Sequence, residues 1–166
     1  MNSSKENFLK VVEKHKGIIL SLCNVYYDSL DDQLDTRQDV ILQLWKSFAS
    51  FRGDSQISTW VYKVSLNTIL SKIKKERREP FKESINTNHE NKLTKINSDD
   101  DIQLLHQIIR SLKELDKALI ILHLEGYKNW EIGEILNLSP SNVSTRMNRI
   151  KMHLKSKFSS YVHEHR

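Results

Sequence analysis

The chain has 166 residues, room for one ordinary domain or two very small ones; its 4 glycines and 2 prolines, with little strand-like alternation, predict an all-α protein. A formal net charge of +5 favours an anionic partner, most commonly nucleic acid, and a single cysteine excludes a disulfide framework and suits a reducing compartment. No run is long and apolar enough to span a membrane and the opening MNSSKENFLK lacks a signal-peptide layout, so the expected setting is cytoplasmic, with no membrane contact of its own.

From Phe8 to Tyr27 apolar residues recur at helical spacing: Phe8, Val11, Val12, Ile18, Ile19, Leu22, Val25 and Tyr26, with Cys23 a small core residue. Asp28 to Asp35 is polar and acidic and reads as a connection. A second helix fits Asp35 to Phe48, with Val40, Ile41, Leu44, Trp45 and Phe48 on one side and both Trp45 and Phe48 expected in the core. FRGDS, Phe51 to Ser55, breaks the pattern at its glycine. Ser58 is placed to cap a third helix from Thr59 to Arg78, with Trp60, Val61, Val64, Ile69, Leu70 and Ile73 as its apolar set. That helix ends in Lys72, Lys74, Lys75, Arg77 and Arg78, opposed only by Glu76. The run suits a phosphate backbone, and it equally suits a solvated last turn whose cations favour the helix dipole. Phe51, Arg52, Trp60, Tyr62, Lys63 and Asn67 mix aromatic, basic and amide groups, as unstacked bases require, although Trp60 fits a core as well.

Glu79 to Asp101 then offers few residues able to enter a core and cannot offset its own ordering entropy, so it is expected to be a flexible linker. It divides the chain into halves of roughly 80 and 65 residues, each marginal on its own. Beyond it, helices fit Ile102 to Leu112 and Asp116 to Leu124, the latter stopped by Gly126. Trp130 to Leu136 is a short helix with Ile132, Ile135 and Leu136 inward, and Gly133 in its middle suits a helix crossing close by. Asn137, Leu138 and Ser139 make a turn. Ser139 caps the next helix and Pro140 takes its first position, where no amide donor is needed. That last helix runs to about Phe158, with Val143, Met147, Ile150 and Leu154 as its buried face. Ser141, Ser144, Thr145, Asn148 and Arg149 lie opposite: hydrogen-bonding side chains on the N-terminal half, as a helix laid in the major groove requires. Arg146, Lys151, Lys155 and Lys157 flank that face and can meet phosphates.

The chain contains no P-loop, dinucleotide turn or nucleophile motif, and its 7 histidines are scattered, with His163 and His165 read as a solvated tail. It is not expected to be an enzyme, and no cofactor, metal or small-molecule substrate is expected.

Three of these stretches, in this order, resemble the sigma-70 family of bacterial sigma factors, and in particular its small extracytoplasmic-function (ECF) group, which keeps only regions 2 and 4. The resemblance implies two small helical domains joined by a flexible linker: region 2 over 1–79, the linker over 80–101 and region 4 over 102–166. DTRQDVILQLW, Asp35 to Trp45, is similar to the region 2 helix that docks on the clamp helices of RNA polymerase, which implies Asp35, Gln38 and Asp39 as polymerase contacts. SFRGDSQISTWVYKVSLNTI, Ser50 to Ile69, is similar to the stretch that melts and reads the −10 promoter element. It implies a loop of Phe51, Arg52, Gly53 and Asp54 around a flipped-out base, with Asn67 reading a further base. Trp60, Tyr62 and Lys63 would support that site, and Lys74, Lys75, Arg77 and Arg78 would extend it along DNA. The helix-turn-helix resembles region 4, implying Ser141, Asn142, Ser144, Thr145, Arg146, Asn148, Arg149 and Lys151 as contacts to the −35 duplex. Departures are few: Gly133 replaces a usual alanine, a conservative exchange, and Ser144 and Asn142 replace a common basic residue and a threonine. The implied partners are core RNA polymerase, promoter DNA and an anti-sigma protein. The residues alone also admit a helix-turn-helix repressor or activator that binds duplex operator without polymerase, and a helical adaptor whose basic clusters are merely solvated.

Overall fold

A computed structural model describes residues 2–78 and 98–164, and every element among them is helical. The first half is a bundle of α1 (Asn2–Tyr26), α2 (Leu30–Phe48) and α3 (Ile57–Arg78). The second holds α4 (Ser98–Ser111), α5 (Glu114–Leu124), α6 (Asn129–Leu136) and α7 (Pro140–Glu164). Most of the expected linker, 80–101, lies outside the described residues, and its end, 98–101, forms the first turn of α4.

Each bundle helix buries one apolar stripe. Leu22 and Cys23 of α1, Val40 and Leu44 of α2, and Val61 and Ile69 of α3 meet at the centre. Trp45, Phe8, Phe48, Trp60 and Phe51 form an aromatic chain across one end, with successive ring centroids 4.9–6.1 Å apart. Three expectations are corrected here. The acidic stretch from Asp28 is a connection only as far as Ser29: Ser29 caps α2 by accepting from the Asp32 amide at 3.3 Å, and Asp31 and Asp32 sit in its first turn, where the helix dipole favours negative charge. Ser58 lies inside α3 and caps nothing, because the helix starts at Ile57. Trp45 is 43% exposed, its ring edge to face with Phe8, because position 45 sits at the border of the stripe that buries Val40 and Leu44.

The two halves are packed together, and one buried apolar cluster runs through both. The Tyr26 hydroxyl donates to the Glu114 carbonyl oxygen at 2.6 Å, and burial, aided by the Glu114 carboxylate, holds that phenol well above its usual pKa. Lys117 lies over the Tyr26 ring, 5.5 Å from its centroid. Arg110 donates from Nε to the Asn24 carbonyl at 3.1 Å and pairs with Asp28 at 3.4 Å. Arg77, at the end of α3, pairs with the Glu114 carboxylate. Tyr62 meets Tyr127 edge to face, with centroids 6.0 Å apart. Domains this small are marginal alone; here each covers part of the other.

Candidate nucleic-acid interface

In the second half, α5 ends as expected. Gly126 sits at φ +88°, and the amides of Gly126 and Tyr127 return to the carbonyls of His123 and Leu122 at 3.1 Å each. Glu131 accepts from the Lys128 amide at 2.7 Å and so opens α6. Asn137 closes it in the left-handed conformation (φ 56°, ψ 48°), a role that suits asparagine among non-glycine residues. Gly133 is required chiefly by the turn that follows it: a Cβ at 133 would stand 2.5 Å from the Leu138 carbonyl oxygen, and the nitrogen of Pro140, the first residue of α7, lies 3.8 Å away. The exchange of alanine for glycine is therefore not conservative in this chain.

Ser139 caps α7, accepting from the Asn142 amide at 3.2 Å, and Pro140 follows as the first helical residue. Val143, Met147 and Ile150 are buried, which turns Ser141, Asn142, Thr145, Asn148, Arg149 and Lys151 to solvent along one exposed face. Two expected contact residues are held by the scaffold. Ser144 accepts from Asn129 Nδ2 at 2.8 Å, joining the start of α6 to α7. Arg146 pairs with Asp116 of α5 at 3.1 Å and donates to Asn142 at 3.2 Å. Both fix the angle of α7 against its support, and Arg146 keeps a partly exposed edge.

In the first half, Gly53 takes φ +79°, which allows the Phe51–Ser55 turn, and Arg52, Gly53 and Asp54 are exposed at its tip. Phe51 and Trp60 are half-buried against one another, so the loop stands on an aromatic base. Lys63 and Asn67 are exposed along α3. Asn67 also lines a cleft of about 410 Å³ between α2 and α3, together with Gln43, Ser47, Thr68 and Ser71. The sequence reading missed these polar cleft residues, although the four-residue spacing of Gln43 and Ser47 places both on one face of α2. Tyr62 is not in this group. It is fully buried and turned towards Tyr127, because position 62 falls on the stripe that faces the second half. Lys74, Lys75, Arg77 and Arg78 are exposed at the end of α3, with Arg77 engaged by Glu114.

A third surface lies on α2. Asp35, Gln38 and Asp39 are exposed there, and Leu34, Leu42 and Trp45 continue the same outward side. The spacing 34, 38, 42, 45 is that of one helical stripe; the sequence reading missed its leucines because Leu34 fell in the stretch read as a connection and Leu42 lies off the helix's apolar side.

Comparison with known proteins agrees with this geometry. Residues 11–79 match Sigma-70 region 2, and residues 102–154 match Sigma-70, region 4. The chain is 28% identical to the RNA polymerase sigma factor YlaC of Bacillus subtilis (strain 168), over 92% of this chain and 99% of that protein. It is 27% identical to the ECF RNA polymerase sigma-E factor of Escherichia coli (strain K12), over 91% of this chain and 85% of that one. Among solved structures, the fold is similar to that of the sigma factor RpoE in complex with the anti-sigma factor NepR from Bartonella quintana (TM-score 0.68, 20% identity, 96% of this chain and 98% of that chain). With both regions matched in order, one on each helical half, the chain belongs to the sigma-70 family of RNA polymerase sigma factors.

Proposed function

We propose that this chain is an ECF-group sigma factor that acts in the cytoplasm, binds core RNA polymerase through the outward face of α2 and directs it to promoters. The observation that carries this reading is the division of α7 into a fully buried stripe and an exposed hydrogen-bonding face, set by a capped turn at a defined angle to α6. Such a helix fits the major groove of duplex DNA, where amide and guanidinium groups discriminate base pairs by their donor and acceptor pattern. The Arg52–Asp54 loop with Asn67 is assigned to unpaired −10 bases. Unstacking a base costs a few kcal/mol, which pocket contacts recover. Lys63, Lys74, Lys75 and Arg78 neutralise phosphates alongside. An anti-sigma protein is the third partner, a reading supported by the similarity to a sigma factor solved with one.

The test is transcription from a pool of promoter fragments by purified bacterial core polymerase, with and without the chain. Transcripts should start at defined sites that share −35 and −10 sequences. They should be lost when Gln38 and Asp39 are changed together to alanine. Specific binding of duplex DNA without any redirection of polymerase would instead identify a repressor or activator.

A further inference from the structure

Lys72 belongs by sequence to the basic run at the end of α3, but the fold separates it from that run. Its side chain is only 18% exposed, and Nζ hydrogen-bonds Oδ2 of both Asp35 (2.6 Å) and Asp39 (2.8 Å) on α2. The Tyr27 ring lies beside the ammonium, 5.9 Å away at its centroid. The two carboxylates sit four residues apart on one helix face, where like charges repel and exposed side chains are free to change rotamer. Lys72 offsets that repulsion and fastens both acids from the inner side. The acids remain 69% and 48% exposed. Burial alone would depress the lysine's affinity for its proton, but the hydrogen bonds that it donates to the Asp35 and Asp39 carboxylates more than reverse this, so the cation is permanent at physiological pH. Lys72, Asp35 and Asp39 line one cleft of about 440 Å³ between α2 and α3, with Lys46, Lys75 and Glu76 around its rim.

We propose that Lys72 is a positioning residue of the polymerase-docking face: it holds Asp35 and Asp39 as a preformed pair for a cationic partner surface and takes no part in DNA contact. The inference rests on the reading of α2 as the docking helix. A pair already fixed in place gives up less side-chain freedom on association, and the loss otherwise charged against binding is of the order of tenfold for two side chains.

The experiment measures the Kd of the full chain for core RNA polymerase in wild type, Lys72→Met, Lys72→Arg, Asp35→Asn/Asp39→Asn and the triple variant. Lys72→Met should weaken core binding about tenfold and Lys72→Arg should restore most of it. Adding Lys72→Met to the Asp35→Asn/Asp39→Asn background should cost nothing further. The melting temperature and the salt dependence of promoter-DNA binding should stay at wild-type values. If Lys72→Met does not fold, Lys72→Gln, a neutral donor, carries the same expectation. Weakening by the acid variant but not by Lys72→Met overturns the inference and leaves the docking face intact. So does a Lys72→Met that binds DNA with a reduced salt slope. If the acid variant itself binds core as wild type does, the docking reading fails and the inference with it.

Discussion

An alanine at position 133 would press its methyl group against backbone, 2.5 Å from the Leu138 carbonyl oxygen, and no flexible side chain is there to yield. Alanine inside a helix ordinarily gains up to about 1 kcal/mol over glycine. Forcing an extra carbon into a close-packed site costs about 1–3 kcal/mol. Gly133→Ala should therefore destabilise the chain by about 1–2 kcal/mol, read from the urea midpoint at unchanged slope, and weaken duplex binding as the turn shifts α7. Equal or greater stability would mean that the turn relaxes without cost. The glycine was visible in the sequence, but its neighbour was not. A hydrophobic pattern reports which side of a helix is buried, and says nothing of a carbonyl five residues on that folds back over it.

At the scale of elements, α7 was the most legible part of the chain. Its cap, its proline and its four-three-four spacing agree with one another, and the structure keeps the first two and buries Val143, Met147 and Ile150, with Leu154 partly buried. What the spacing concealed was the division of labour on the polar side. Arg146 looks like Arg149 in sequence, yet its partner Asp116 belongs to another helix, and such a long-range pair leaves no local trace. The same limit explains α2: its acidic beginning resembles a loop because residues that suit a helix N-terminus are also turn formers. Trp45 read as core because its neighbours are, although it stands at the edge of the stripe. The exposed face of α7 separates two kinds of contact. Arg149→Ala should cost about 1–3 kcal/mol on the preferred −35 sequence and relax preference at one position, whereas Lys151→Ala should weaken all sequences alike and reduce the salt slope by about one charge. Fluorescence anisotropy on a panel of duplexes at several salt concentrations measures both, and identical profiles for the two variants would refute the assignment.

The whole molecule is held closed by a modest set of contacts, which the sequence could not reveal because each joins residues far apart in the chain. The Glu114 carboxyl is held below its usual pKa by its own backbone amide and by Arg77. The stabilisation it contributes is thus complete above its ordinary value of 4.5 and fades as pH falls below that value. An exposed pair of this kind is worth at most about 1 kcal/mol after solvent screening. Glu114→Gln should consequently shift the closed population only about twofold to fivefold at neutral pH and leave little further loss between pH 5 and 3.5. Small-angle scattering would register the opening as a larger radius of gyration, and an unchanged acid response would remove Glu114 from the contact. Tyr62, fully buried and edge to face with Tyr127, is covered by the second half in this arrangement.

Cys23, the single sulfhydryl of the chain, is sealed at the centre of the first bundle, and burial raises its pKa, so it stays protonated and out of reach of solutes. Peroxide or a disulfide-bearing molecule finds no thiolate to attack on the folded chain. A thiol-based oxidative signal would have to alter its promoter choice through another protein.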